Sequence, residues 1–285
     1  MWTQRSSQAW LSCVAALGLG SILLTACAPL DLDQRARTAG LETLELAGND
    51  FQLRAYRKPG LTRPGTTRPL HVYLEGDGTP WTTPTQVADD PRPRRPLAFE
   101  LMLLDPARAL YLQRPCYPPR GDEPCPPSLW TDARYSSTVV DSMAAALKPI
   151  ADAQPLVLIG YSGGGVLAWL LAERLDGVSA VVTIAANLDV GAWTQHHGYS
   201  ALAGSLDPAR RPPLPQAIRQ WHLVGGRDTV VPPAVTESFL LGHRNGEIVL
   251  YPRLDHACCW QDIWPAFLKR MARETIAQET AERLR

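Results

Sequence analysis

Short apolar runs alternating with helical stretches predict an α/β protein, a mostly parallel sheet covered on both faces by helices. Three observations carry that expectation. Residues 156–159 (LVLI) and 180–184 (AVVTI) are continuous apolar runs, the pattern of strands buried on both faces. The stretch 136–150 instead spaces Val139, Val140, Met143, Ala146 and Leu147 at helical intervals. The chain has 285 residues, 45% hydrophobic and 20% charged, enough for one large α/β domain and too apolar for a disordered one.

The first segment reads as an export signal. Residues 10–26 are mostly apolar and follow Arg5, with hydrophobic stretches at 14–17 and 22–24. Leu24-Thr25-Ala26-Cys27 resembles the bacterial lipobox. That reading removes residues 1–26, places acyl chains on Cys27, and leaves 27–40 as a polar tether before a domain spanning 41–285. Ala28 rather than Asp after the cysteine favours the outer membrane, with the domain facing the periplasm.

The elements follow in order. Residues 43–46 and 51–56 alternate apolar and polar around Gly48-Asn49-Asp50, a hairpin signal. Leu70–Leu74 is a short strand ending at Glu75-Gly76-Asp77-Gly78. Helices are expected at 99–104, 136–150, 166–175, 234–241 and 263–284, and further strands at 109–112, 156–159, 180–184, 220–224 and 247–251. The 26 prolines cluster in loops at 59–69, 80–96, 115–127 and 208–215. Residues 187–217 lack a strong period between two core strands and are a candidate cap.

With 28 basic and 28 acidic residues the net charge is zero, which gives no electrostatic footprint for nucleic acid. Export places Cys116, Cys125, Cys258 and Cys259 in an oxidising compartment. Four cysteines allow three pairings, and the simplest is Cys116–Cys125 across a Pro-rich loop, worth about 2.5–3 kcal/mol of loop-closure entropy. The adjacent Cys258 and Cys259 could pair with each other, stay as buried thiols or cross-link to the other two.

Gly160-Tyr161-Ser162-Gly163-Gly164 fits G-x-S-x-G. It follows the 156–159 strand and opens a helix, the context in which a sharp turn exposes a nucleophilic serine. There is no Walker lysine for a phosphate loop and no G-x-G-x-x-G spacing. A serine nucleophile needs a base, and the base an orienting carboxylate, in the chain order Ser, acid, His. Asp228 follows the 220–224 strand and His256 follows the 247–251 strand, so Ser162, Asp228 and His256 are the candidate triad. Asp189 is a competing acid, and Asp255 adjoins the base too closely to face its ring. His71 and His222 lie in strands, His243 at a helix end, and His196 and His197 in the cap. Two backbone donors are needed for an oxyanion, one from Gly163 and the other from Asp77 or Gly76. Trp81, Asn187, Asp189, Trp193 and His197 leave the same sheet edge and are candidate pocket residues. The acidic pair Glu75 and Asp77 argues against a strongly anionic substrate.

Strand, turn and helix with these residues in order resemble the α/β-hydrolase superfamily across most of 70–268. The stretches YLEGDGTPW, YLQRPC, GYSGGG, ANLDVGAWTQHHGYSAL, GGRDTVVP and DHACCW are similar to a group of proteobacterial α/β-hydrolase-like lipoproteins without an established substrate. That group carries Gly-Trp after the histidine, where this chain has Cys258-Cys259-Trp260. The resemblance implies the fold and the triad. The expectation is a cofactor-free, metal-free serine hydrolase acting on a small carboxylic ester or related acyl compound. Peptidase or amidase activity, with Glu75 or Asp77 holding an amine, is one alternative. Acyl transfer and a non-catalytic lipid-anchored binding protein are the others.

Overall fold

The computed structural model describes residues 31–59, 68–117 and 125–283. The proposed signal segment and the lipidation site Cys27 lie outside the described residues. Part of the expected tether does not. Leu32–Thr38 of the 27–40 stretch forms helix α1, capped by Asp31, with Ala36 fully buried against the core. The tether reading therefore fails from Asp31 onward, because one apolar face of this stretch packs on the domain.

Eight strands form one sheet: β1 (Glu42–Ala47), β2 (Gln52–Arg57), β3 (Leu70–Leu74), β6 (Ala109–Leu112), β7 (Leu156–Tyr161), β8 (Val178–Ile184), β9 (Arg219–Gly225) and β10 (Gly246–Tyr251), in the order β1-β2-β6-β3-β7-β8-β9-β10. The pairs from β6 to β10 are parallel, and β2 runs antiparallel to both of its neighbours. A separate two-stranded hairpin, β4 (Trp81–Thr83) and β5 (Gln86–Val87), follows β3 and carries no strand signal in the sequence. The remaining helices are α2 (Leu97–Leu104), α3 (Ser137–Ala151), α4 (Gly163–Ala172), α5 (Val190–His197), α6 (Pro233–Gly242) and α7 (Trp260–Arg283).

The core is two layers separated by the sheet. Val72, Leu74, Leu156, Leu158 and Val181 point to the side covered by α3, α4 and α6. Tyr73, Val157, Ile159, Val182 and Ile184 point to the side covered by α1, α2 and α7. Side chains alternate along a strand, so both faces are apolar only where the run is unbroken. The apolar runs at 156–159 and 180–184 meet that requirement in adjacent central strands. Helix α4 starts at Gly163, three residues earlier than its apolar spacing indicates, because the turn at Ser162 opens straight into it.

Cys116 and Cys125 are joined by a disulfide, and Cys258 and Cys259 by another, which resolves the open pairing.

Candidate active site

Ser162 sits between β7 and α4 with φ of 50° and ψ of −125°. This left-handed backbone is strained for a residue with a Cβ, at a cost of about 1–3 kcal/mol. The turn is held by the Ser162 amide on the Ile184 carbonyl and the Gly165 amide on the Ser162 carbonyl, both at 2.8 Å. The flanking glycines are dictated by space. A Cβ on Gly160 would lie 2.1 Å from the Gly164 carbonyl oxygen, and one on Gly164 would lie 2.3 Å from the Leu74 carbonyl oxygen. Burial of α4 against the sheet is what forces these backbones together.

Asp228 and His256 are brought together from the loops after β9 and β10. His256 Nδ1 lies 2.9 Å from Asp228 Oδ2. The other carboxylate oxygen accepts the Val230 and Val231 amides at 2.8 and 2.7 Å, so Asp228 is fixed and almost wholly buried. A carboxylate accepts only, which puts the proton on Nδ1 and leaves Nε2 free to act as a base. The His256 carbonyl accepts from Tyr161 Oη at 3.1 Å and Trp260 Nε1 at 3.0 Å. The Tyr161 ring packs 5.2 Å from the imidazole. Tyr161 adjoins Ser162 in sequence, so it ties the base to the strand carrying the serine. No hydrogen bond joins the Ser162 hydroxyl to His256 among the described residues; such contacts often close only when substrate binds.

Asp255 accepts the Ala257 and Cys258 amides and does not face the ring. Asp189 is not the acid either. It caps α5 through the Ala192 amide at 2.8 Å and accepts from Ser238 Oγ at 2.5 Å. His71 pairs with Asp105 at 2.6 Å, away from the triad. His222 is fully buried, and burial together with His243 lowers its pKa to about 3.

The loop after β3 supplies the remaining part. A Cβ on Gly76 would lie 3.2 Å from the Ser162 Cβ, so this loop borders the serine. The Gly76 amide is 3.2 Å from Glu75 Oε1, which removes Gly76 as an oxyanion donor. The amides of Asp77 and Gly163 have no acceptor among the described residues. Neither Glu75 nor Asp77 is free to hold an amine. Glu75 is buried and accepts from the Ala98 and Phe99 amides at the start of α2 and from Tyr111 Oη. Burial pushes its pKa up to about 7, with those hydrogen bonds acting the other way. Asp77 accepts from Arg114 Nη1 at 2.6 Å, Arg134 Nη1 at 3.0 Å and Tyr135 Oη at 2.6 Å. Burial would raise its pKa, but Arg134, Arg114 and the Tyr135 hydroxyl outweigh that and hold it at about 2. Glu75 and Asp77 are thus occupied inside the protein and do not present an acidic pair to a substrate.

The expected pocket residues divide. Asn187 is buried, and its Nδ2 donates to Tyr135 Oη at 3.4 Å. Trp81 is exposed on the β4–β5 hairpin. Trp193 Nε1 and His197 Nε2 both reach the Val230 carbonyl at 2.8 Å, so the cap helix α5 is latched to the loop carrying Asp228. Arg114, Arg134 and Tyr135 were missed by sequence reasoning; their only signal is that they flank the Cys116–Cys125 loop.

A thioesterase domain model matches residues 128–203, a span that includes Ser162 and stops before Asp228 and His256. No curated protein matches the sequence. Among solved structures, an esterase from Pyrococcus furiosus is similar with a TM-score of 0.56 and 13% identity, over 83% of this chain and 93% of that one. A puromycin-hydrolysing peptidase from Mycobacterium tuberculosis is similar with a TM-score of 0.53 and 18% identity, over 76% of this chain. A puromycin hydrolase gives 0.52 and 17% over the same share. The chain spans only 36% of the length of each of these two. The protein has the α/β-hydrolase fold.

Proposed function

We propose that the protein is a serine hydrolase that cleaves a carboxylic ester or related acyl compound through an acyl-enzyme. The observation that carries this reading is the Asp228–His256 pair, 2.9 Å apart, at the sheet edge where Ser162 occupies a strained strand-to-helix turn. In this reading His256 Nε2 takes the Ser162 proton as the hydroxyl attacks the acyl carbon. Asp228 holds the ring and stabilises the imidazolium, and the Gly163 and Asp77 amides receive the oxyanion. His256 then protonates the leaving group. Water, activated by the same imidazole, attacks the acyl-enzyme and releases the acid and free Ser162. The partial thioesterase match favours thioesters among the acyl compounds to test.

The test treats purified domain with a fluorophosphonate, locates the label by mass spectrometry, and follows p-nitrophenyl esters and acyl thioesters of rising chain length. Labelling at Ser162 with turnover lost in Ser162→Ala is the expected result. A folded domain that neither labels nor turns over sinks the reading.

The proposed setting is the bacterial envelope, with the domain tethered through acylated Cys27 to the outer membrane. Cys27→Ser should then release the protein from the membrane fraction, measured by fractionation and immunoblot. Unchanged membrane association would rule out this anchor.

A further inference from the structure

The carboxylate of Asp77 stands against the very residue whose amide should stabilise an oxyanion. A Cβ on Gly163 would lie 2.0 Å from Asp77 Oδ1 and 2.5 Å from Tyr135 Oη. Alone, a negative charge there would repel the charge that develops in acyl transfer, and repulsion is strong where water is excluded. Two guanidiniums answer it. Arg114 and Arg134 both bind the carboxylate, with side chains only 1% and 8% exposed. Two positive charges against one negative leave the cluster positive by one. The same groups fix the loop mechanically. Tyr117 Oη donates to the Asp77 carbonyl at 2.8 Å, and Arg114 Nη2 reaches the Arg134 carbonyl at 2.9 Å. The Arg114 guanidinium also lies over the Tyr117 and Tyr135 rings, at 5.0 and 5.6 Å. Arg134 Nε binds the Thr131 carbonyl at 2.5 Å.

We propose that Arg114 and Arg134, with Tyr135, are positioning residues for the oxyanion site: they clamp Asp77 so that its amide is held toward Ser162, and they reverse the sign of the charge beside the Gly163 amide. This rests on the hydrolase reading above. None of the three touches substrate in this account; each acts through Asp77. Charge-assisted bonds with buried partners are the strong ones, and a bidentate or doubly held carboxylate has little freedom to swing. The residues come from the two sides of the segment closed by the Cys116–Cys125 disulfide, so the bridge keeps both halves of the clamp in register.

The test compares wild type with Arg134→Gln, Arg134→Lys and Tyr135→Phe, using Ser162-dependent hydrolysis of p-nitrophenyl acetate. Thermal unfolding is run alongside, and so is inhibition by a trifluoromethyl ketone, which forms an oxyanion adduct on a nucleophilic serine. Arg134→Gln should lower kcat about tenfold to a hundredfold, somewhat less than loss of a direct oxyanion donor, with KM changed by less than about threefold. The ketone should weaken by a similar factor, and Arg134→Lys should recover most of both. Tyr135→Phe removes one hydroxyl and should give a smaller loss in the same direction. A merely structural role would lower the melting temperature and leave kcat per folded molecule unchanged. Folded Arg134→Gln and Tyr135→Phe variants with wild-type kcat and ketone affinity would overturn the proposal while leaving the hydrolase reading intact. Wild type without Ser162-dependent turnover would overturn both.

Discussion

Ser162, Asp228 and His256 each have a distinct physical burden, and substitutions should separate them. Ser162→Ala removes the nucleophile but keeps the Cβ and with it the strained turn, so turnover should vanish while the melting temperature stays close to wild type. Asp228→Asn keeps the shape but offers an amide to a ring that needs an acceptor, so a loss of about 10⁴-fold in kcat is expected from steady-state ester hydrolysis. An equal loss in Asp189→Asn instead would contradict the geometry, since Asp189 serves the start of α5 and Ser238. Gly164→Ala drives a methyl into the Leu74 carbonyl and should destabilise by about 2 kcal/mol or more, read from denaturant unfolding. Two carboxyls give opposite pH signatures. Asp77, held at about 2, contributes stability above its ordinary pKa that is lost as pH falls from about 4 toward 2. Glu75, raised to about 7, binds its proton more tightly when folded, so its contribution is fully present below the ordinary glutamate pKa and declines as pH rises toward 7. Glu75→Gln should flatten that upper decline in a melting-temperature series.

At the scale of elements, the loops decide the site and the helices decide where the loops go. α5 is short and belongs to the cap, yet Trp193 and His197 both bind the Val230 carbonyl, two residues after Asp228. The Val230 amide in turn binds Asp228 Oδ1. α5 therefore braces the loop that holds Asp228. Replacing Trp193 by Phe and His197 by Ala should cost about 0.5–1.5 kcal/mol for each lost bond and speed hydrogen exchange of the Val230 and Val231 amides. Unaltered exchange there would mean that the latch is incidental. α2 has a similar partner in Glu75, whose carboxylate receives the Ala98 and Phe99 amides at the helix start, a favourable place for an acceptor. Glu75 is thus an anchor for α2 and not a ligand group.

For the whole molecule, the parallel sheet collects the ends of β3, β7, β9 and β10 on one edge, and the loops carrying Asp77, Ser162, Asp228 and His256 leave from there. The Cys116–Cys125 bridge lies on the side of β6 and closes the loop between the two arginines of the Asp77 cluster. A Cys116→Ser, Cys125→Ser variant should lose about 2.5–3 kcal/mol on loop-closure grounds, or about 5–10 °C in melting temperature for a domain of this size. Calorimetry of the variant beside wild type checks it.

The sheet strands and the turn at Ser162 were legible because each has a local signature. Unbroken apolar runs mark strands buried on both faces, and a G-x-S-x-G between such a run and a helix marks a strained turn. Asp228 and His256 follow from strand order, since each sits in a short loop after one of the last two strands of the sheet. α1 was read as tether because seven residues are too few to declare a period, and only its packing through Ala36 reveals it. The β4–β5 hairpin is two and three residues long and likewise leaves no pattern. The roles of Glu75, Asp77, Arg114, Arg134 and Tyr135 depended wholly on tertiary structure. A carboxylate in a sequence is only a charge. Whether it repels an oxyanion, anchors a helix or is held by two arginines depends on which distant strand ends the sheet brings beside it, and spacing along the chain does not encode that.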